Sequence, residues 1–199
     1  VKFVVKDLPE IKLNNTGDVY GNVVLNVNIT SNVTGIAYVY VDGMKYAKVN
    51  VTNFTGANTV FNINLNNISA GNHTITVEYL GDEIHFNNTQ SFNLFINKAN
   101  SVVNITNVVN ATYNTTNVEV SFNITNRTTV SIVIRNATGD VVYTTNDFQG
   151  DLFSIETLNA GNYNITITNN VGDNYNASSD SALFTIYKAN SSLIITVAL

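Results

Sequence analysis

Cysteine is absent from the sequence, so neither a disulfide framework nor a thiolate metal site is available to it. Proline occurs once, at Pro9, which leaves nearly every backbone donor free for sheet ladders. Charge is scarce: 12% of the 199 residues are Asp, Glu, Lys or Arg, against roughly 25% in ordinary soluble domains. The 9 Lys and Arg are scattered and outweighed to a net charge of −5, which excludes the clustered cations that binding nucleic acid demands. No run approaches the roughly 18–20 apolar residues of a membrane-spanning helix. Direct membrane contact is therefore not expected of this segment, and any export signal or anchor is expected outside it.

What the sequence does contain, it contains twice. Ala70-Gly71-Asn72-His73-Thr74-Ile75 returns as Ala160-Gly161-Asn162-Tyr163-Asn164-Ile165, and Lys98-Ala99-Asn100-Ser101 returns as Lys188-Ala189-Asn190-Ser191. Both pairs are offset by 90 residues, too long a period for a solenoid and about the size of a small domain. The spacing divides the chain into residues 1–98, residues 99–188, and a leading strand of a further copy at residues 189–199. The joint at Lys98-Ala99-Asn100-Ser101 holds neither proline nor glycine, which predicts a stiff, extended pair.

Period-two alternation runs through both copies. Val23, Leu25, Val27 and Ile29 share one parity, as do Val118, Val120, Phe122 and Ile124, with Asn, Ser and Glu between them. One apolar face and one polar face predict half-buried antiparallel strands. Further strands are expected at 36–41, 45–51, 60–65, 73–80 and 90–97, and in the second copy at 130–135, 141–145, 152–157, 163–168 and 182–187. Leading strands at 3–5 and 102–108 complete about seven per copy. Asp42-Gly43, Gly81-Asp82, Gly139-Asp140 and Gly172-Asp173 punctuate them as turns. The fold class is all-β: two tandem immunoglobulin-like antiparallel sandwiches. Leu158-Asn159-Ala160-Gly161-Asn162-Tyr163 has the form of a tyrosine corner, with Tyr163 at the head of a strand and His73 replacing it in the first copy. His85 is expected to be solvated.

The run from Ala160 through Thr166, then Gly172-Asp173-Asn174-Tyr175-Asn176-Ala177-Ser178 and Phe184-Thr185-Ile186, resembles a bacterial-type Ig-like repeat of group 3. The first copy keeps the pattern less cleanly, with two extra residues between Gly81-Asp82 and Phe86. Asn-rich, cysteine-free tandem copies joined by Lys-Ala-Asn-Ser resemble the adhesin-like surface proteins of methanogenic archaea. The resemblance implies an extracellular, cell-surface location and partners such as a surface glycan, a surface protein and neighbouring Ig-like repeats. It does not separate a stalk from a binding tip, and it leaves open an accessory, carbohydrate-binding module of a secreted carbohydrate-active enzyme.

No Gly-rich phosphate loop, nucleophile elbow or His-Glu-x-x-His motif is present, so no catalytic residue is assigned and a non-catalytic role is expected. Calcium is the metal the acids could suit: Asp82 and Glu83 follow Gly81, and Asp173 follows Gly172, in matching loops. The alternative is that Gly-Asp merely forms a turn. No other cofactor is expected. With Ala37, Val39 and Val41 facing inward, Tyr38 and Tyr40 stand together on the outer sheet, where they either contact a sugar or protein or pack across strands. The second copy has Ser131, Val133 and Arg135 instead. A Lys–Asn isopeptide bond would require one of Lys2, Lys6, Lys98 or Lys188 to be buried. The sequence carries 17 Asn-x-Ser/Thr sequons where composition alone gives about 6 or 7. Alternating polar rows on strands write that motif automatically, because residues i and i+2 face the same way.

Overall fold

A computed structural model describes residues 4–52, 58–156 and 158–191. The chain divides into two compact units, Val1–Ala99 and Asn100–Leu199. Among the described residues every regular element is a strand.

The first unit contains β1 (Ile11–Val19), β2 (Asn22–Thr30), β3 (Gly35–Val41), β4 (Met44–Val51), β5 (Asn58–Asn64), β6 (Gly71–Tyr79) and β7 (Asn88–Ile96). One sheet runs β1-β2-β5 and the other β4-β3-β6-β7, all paired antiparallel. The alternation in β2 does the packing: Val23, Leu25, Val27 and Ile29 have no accessible surface. Across the sandwich they meet Ala37 and Val39 of β3, Ile75 and Val77 of β6, and Ile96 of β7 in one core. Burying each such side chain contributes about 1.5–3 kcal/mol.

The expected leading strand at 3–5 is not a strand over its described residues, and Phe3 lies outside them. The first strand is instead β1, whose Asn14-Asn15-Thr16-Gly17 run has the composition of a loop. Pairing with β2 and the inward burial of Ile11 override that local preference. The β1 register breaks between Thr16 and Val19, and Val19 then bridges Asn97 in parallel, so the strand leaves one sheet for the other. Gly17 makes this possible. Its φ is +76°, and a Cβ there would lie 2.0 Å from the Asn22 carbonyl oxygen.

The second unit repeats the plan with β8 (Val102–Val109), β9 (Ala111–Thr112), β10 (Val118–Thr125), β11 (Val130–Asn136), β12 (Val141–Thr145), β13 (Leu152–Ile155), β14 (Gly161–Asn169) and β15 (Ser178–Tyr187). Its sheets run β13-β10-β8 and β12-β11-β14-β15-β9. Here the crossing is made at Asn110, after which β9 pairs in parallel with Ile186 and Tyr187. The core differs in content. Phe122, Phe148, Phe153 and Tyr143 form an aromatic group with neighbouring centroids 5.3–6.1 Å apart. The leading strand expected at 189–199 falls outside the described residues from Ser192 onward. Every described lysine is exposed, so Lys6, Lys98 and Lys188 lack the burial an isopeptide bond requires; Lys2 lies outside the described residues.

Candidate functional site

Strand pleating puts Tyr38 and Tyr40 on the outer face of β3, half-buried, while Ala37, Val39 and Val41 enter the core. The two rings meet edge to face at 6.4 Å. Lys45 of β4 sits 3.6 Å from the Tyr38 centroid, a cation–π contact that covers one face of that ring. Tyr40 Oη donates to Glu78 of β6 at 2.8 Å, and this bond to a carboxylate raises the phenol's pKa above its ordinary value. The result is a row of ammonium, two rings and a carboxylate across three strands. In the second unit the corresponding strand, β11, presents half-buried Ser131 and Val133 and exposed Arg135.

At one end of the first unit, the loop after β6 folds onto the loop before β3. Asp82 is the hub. Its carboxylate accepts from the Thr34 amide (2.9 Å), the Thr34 hydroxyl (3.2 Å), the Ile84 amide (2.9 Å), the His85 amide (2.8 Å) and His85 Nδ1 (2.9 Å). Burial on its own pushes this carboxyl up, but the bonds from Thr34, His85 and Ile84 outweigh it and hold the group far below the usual carboxylate range. Tyr79, fully buried, donates to the Thr34 carbonyl at 2.8 Å. Burial, then the neighbouring Asp82 carboxylate, drives its phenol well above the ordinary value. His85, expected in solvent, is 6% exposed: Asp82 draws its ring inward, and Asp7 bridges its backbone. The phenol gave a sequence signal that was missed. Tyr79 shares the inward parity of Ile75 and Val77, and a buried hydroxyl needs a partner.

The second unit closes the matching end without a carboxylate. Asn169, also fully buried, accepts from the Thr128 amide at 2.8 Å and hydroxyl at 3.1 Å, and donates to the Asn126 carbonyl at 3.1 Å. Asp173 is exposed, as is Glu83 in the first unit. The oxygens of Asp82 face donors, and among the described residues no group of three or more His, Asp or Glu gathers where it could hold a metal.

The two corner residues use one geometry. Tyr163 Oη donates to the carbonyl of Asn159 at 2.8 Å, and His73 Nε2 meets the carbonyl of Ser69 at 3.0 Å, each four residues upstream. His73 Nδ1 also lies 2.8 Å from Asp42 in the β3–β4 turn. That contact and the Thr74 amide lower the Asp42 carboxyl below its ordinary pKa. His73 therefore ties the corner to the neighbouring hairpin, which Tyr163, stacked on Phe184, does not do.

No family model matches the chain, and no curated protein sequence matches it. Among solved structures, it is similar to the fibronectin(III)-like modules of Clostridium thermocellum CbhA at 13% identity, covering 98% of this chain and 96% of that one with a TM-score of 0.36. It is also similar to a two-domain fibronectin type-III segment of chicken tenascin, at 12% identity over 89% of this chain and 98% of that one, with a TM-score of 0.45. A third is the BSP domain of a biofilm-associated protein, at 15% identity over 91% of this chain and 30% of that one, with a TM-score of 0.30. The sheet orders of both units make the chain a tandem of Ig-like β-sandwiches.

Proposed function

We propose that this chain is a non-catalytic, extracellular segment of an adhesin-like surface protein, displaying repeated sandwiches and contacting a surface glycan or protein. The observation that carries the reading is the repetition of one sandwich with its conspicuous polar groups turned to structure: Asp82, His85, Asn169, His73 and Tyr163 all bond within the fold. Contact falls to outward faces. The Lys45–Tyr38–Tyr40–Glu78 row supplies a cation, a carboxylate and aromatic surface, the combination that meets the hydroxyls and apolar faces of a sugar. The test is retention of microbial cells and of arrayed glycans by the immobilised chain, with Tyr38→Ala/Tyr40→Ala beside it and circular dichroism as the folding control. Binding lost in the double variant supports the reading; binding equal to an unrelated sandwich for every cell and glycan overturns it. Retention on insoluble polysaccharide but not on cells identifies an accessory module of a carbohydrate-active enzyme instead.

A further inference from the structure

The strand explanation of the sequons accounts for only half of them. Among the described residues eight begin within strands and eight outside, at Asn32, Asn67, Asn87, Asn110, Asn114, Asn126, Asn176 and Asn190. Polar alternation cannot write the second group. Their side chains differ in what they already do. Asn126 Nδ2 donates to the Asn100 carbonyl at 2.8 Å and Asn176 Nδ2 to Asn100 Oδ1 at 3.0 Å, so substituting either nitrogen costs a bond that holds the start of the unit. Asn87 follows the loop clamped by Asp82.

Asn114 is different. It occupies the exposed turn between β9 and β10 with φ at +52°, a conformation Asn tolerates better than most residues. Its carboxamide makes no hydrogen bond among the described residues. The turn does not need it, being closed by the Thr115 and Thr116 amides on the Thr112 carbonyl at 2.9 and 3.1 Å. The Thr116 hydroxyl accepts from the Thr112 amide at 2.9 Å, which fixes the third sequon residue while leaving its own O–H to donate. Residues 113–117 are all exposed, and Tyr113 presents an aromatic surface one residue before the acceptor.

We infer that Asn114 is an N-glycan attachment site, with the first sugar lying against Tyr113. In the step that forms it, the Asn114 amide nitrogen bonds to the anomeric carbon of a sugar carried on a lipid pyrophosphate. The sugar–phosphate bond breaks, the lipid pyrophosphate leaves, and the amide gives up one proton. The inference rests on the proposed export of the chain, but not on adhesion. The counterpart turn of the first unit, Tyr20-Gly21, has no sequon, so the site belongs to the second unit alone.

The experiment is secretion of the whole chain from an N-glycosylating cell, followed by site-resolved mass spectrometry of its peptides. A hexose or hexosamine increment on Asn114 is expected. It should vanish in Asn114→Gln and Thr116→Ala and persist in Thr116→Ser. An unmodified Asn114 in the secreted protein overturns the inference, whether or not other sequons are occupied. A chain glycosylated at Asn114 that retains no cells or glycans overturns the adhesion reading alone.

Discussion

Replacing Asp82 by Ala removes the acceptor for three backbone amides, one hydroxyl and the His85 ring while leaving those donors in place. An unsatisfied buried donor costs about 1–3 kcal/mol. The Ile84 amide bond is exposed to water, whereas those of the Thr34 and His85 amides are partly buried and the imidazole is nearly enclosed. The sum is about 3 kcal/mol, at the low end of what removing one partner of a buried ionic pair costs. For a unit of about 100 residues each kcal/mol lowers Tm by about 4–8 °C, so the first unit should melt about 12–24 °C earlier. Calorimetry of the whole chain reads the shift, and hydrogen exchange assigns it by unit: peptides of β3, β6 and β7 lose protection, those of β11 and β14 do not. The pH dependence follows from the lowered carboxyl pKa. Folding favours the ionised form, so the contribution is complete above the unfolded value of about 4 and is lost as pH falls through the lower folded value. Asp82→Asn should flatten that acid slope. A variant within 1 kcal/mol of the parent, or an unchanged slope in Asp82→Asn, would refute the reasoning.

Three further outcomes are expected. Gly17→Ala should destabilise the first unit by more than about 2 kcal/mol in urea unfolding, since both φ and the Asn22 carbonyl forbid a Cβ, while Gly21→Ala should cost about 1 kcal/mol for its left-handed backbone alone. Tyr163→Phe should cost the second unit about 1 kcal/mol in the same assay, leaving its ring stacked on Phe184 but the Asn159 carbonyl without its donor. Asn169→Leu should cost about 2–4 kcal/mol and release exchange protection at Thr128, whose amide loses the Asn169 Oδ1 acceptor.

Elements with strict alternation were readable because burial on one face leaves a period in the composition: β2 and β10 are the plain cases, and the Asp42-Gly43 hairpin, with φ of +52° and +78°, shows itself by residue type. β1 was not readable. Its Asn14-Asn15-Thr16-Gly17 run has loop composition. The strand is held extended by pairing with β2, from Ile11 opposite Ile29 to Val19 opposite Asn22, and by Asn97 Nδ2 donating to Asp18 from 79 positions away. The same limit applies to the site. Tyr38 and Tyr40 follow from parity alone, whereas the Asp82 lock joins Thr34 to a residue 48 positions away, and nothing local in Gly81-Asp82 distinguishes it from Gly172-Asp173. That is why His85 read as a solvated loop residue: its burial is set by a carboxylate that the fold, not the neighbouring sequence, turns inward.

The different fastenings of the two units bear on how such a chain avoids tangling with itself. Neighbouring copies of one fold are prone to trade hairpins while they form. A β6–β7 hairpin lodged in the second unit would bring no Asn169, leaving the Thr128 amide and the Asn126 carbonyl without the carboxamide that joins them. Mismatched latches thus make each sandwich a poor host for its sibling's strands.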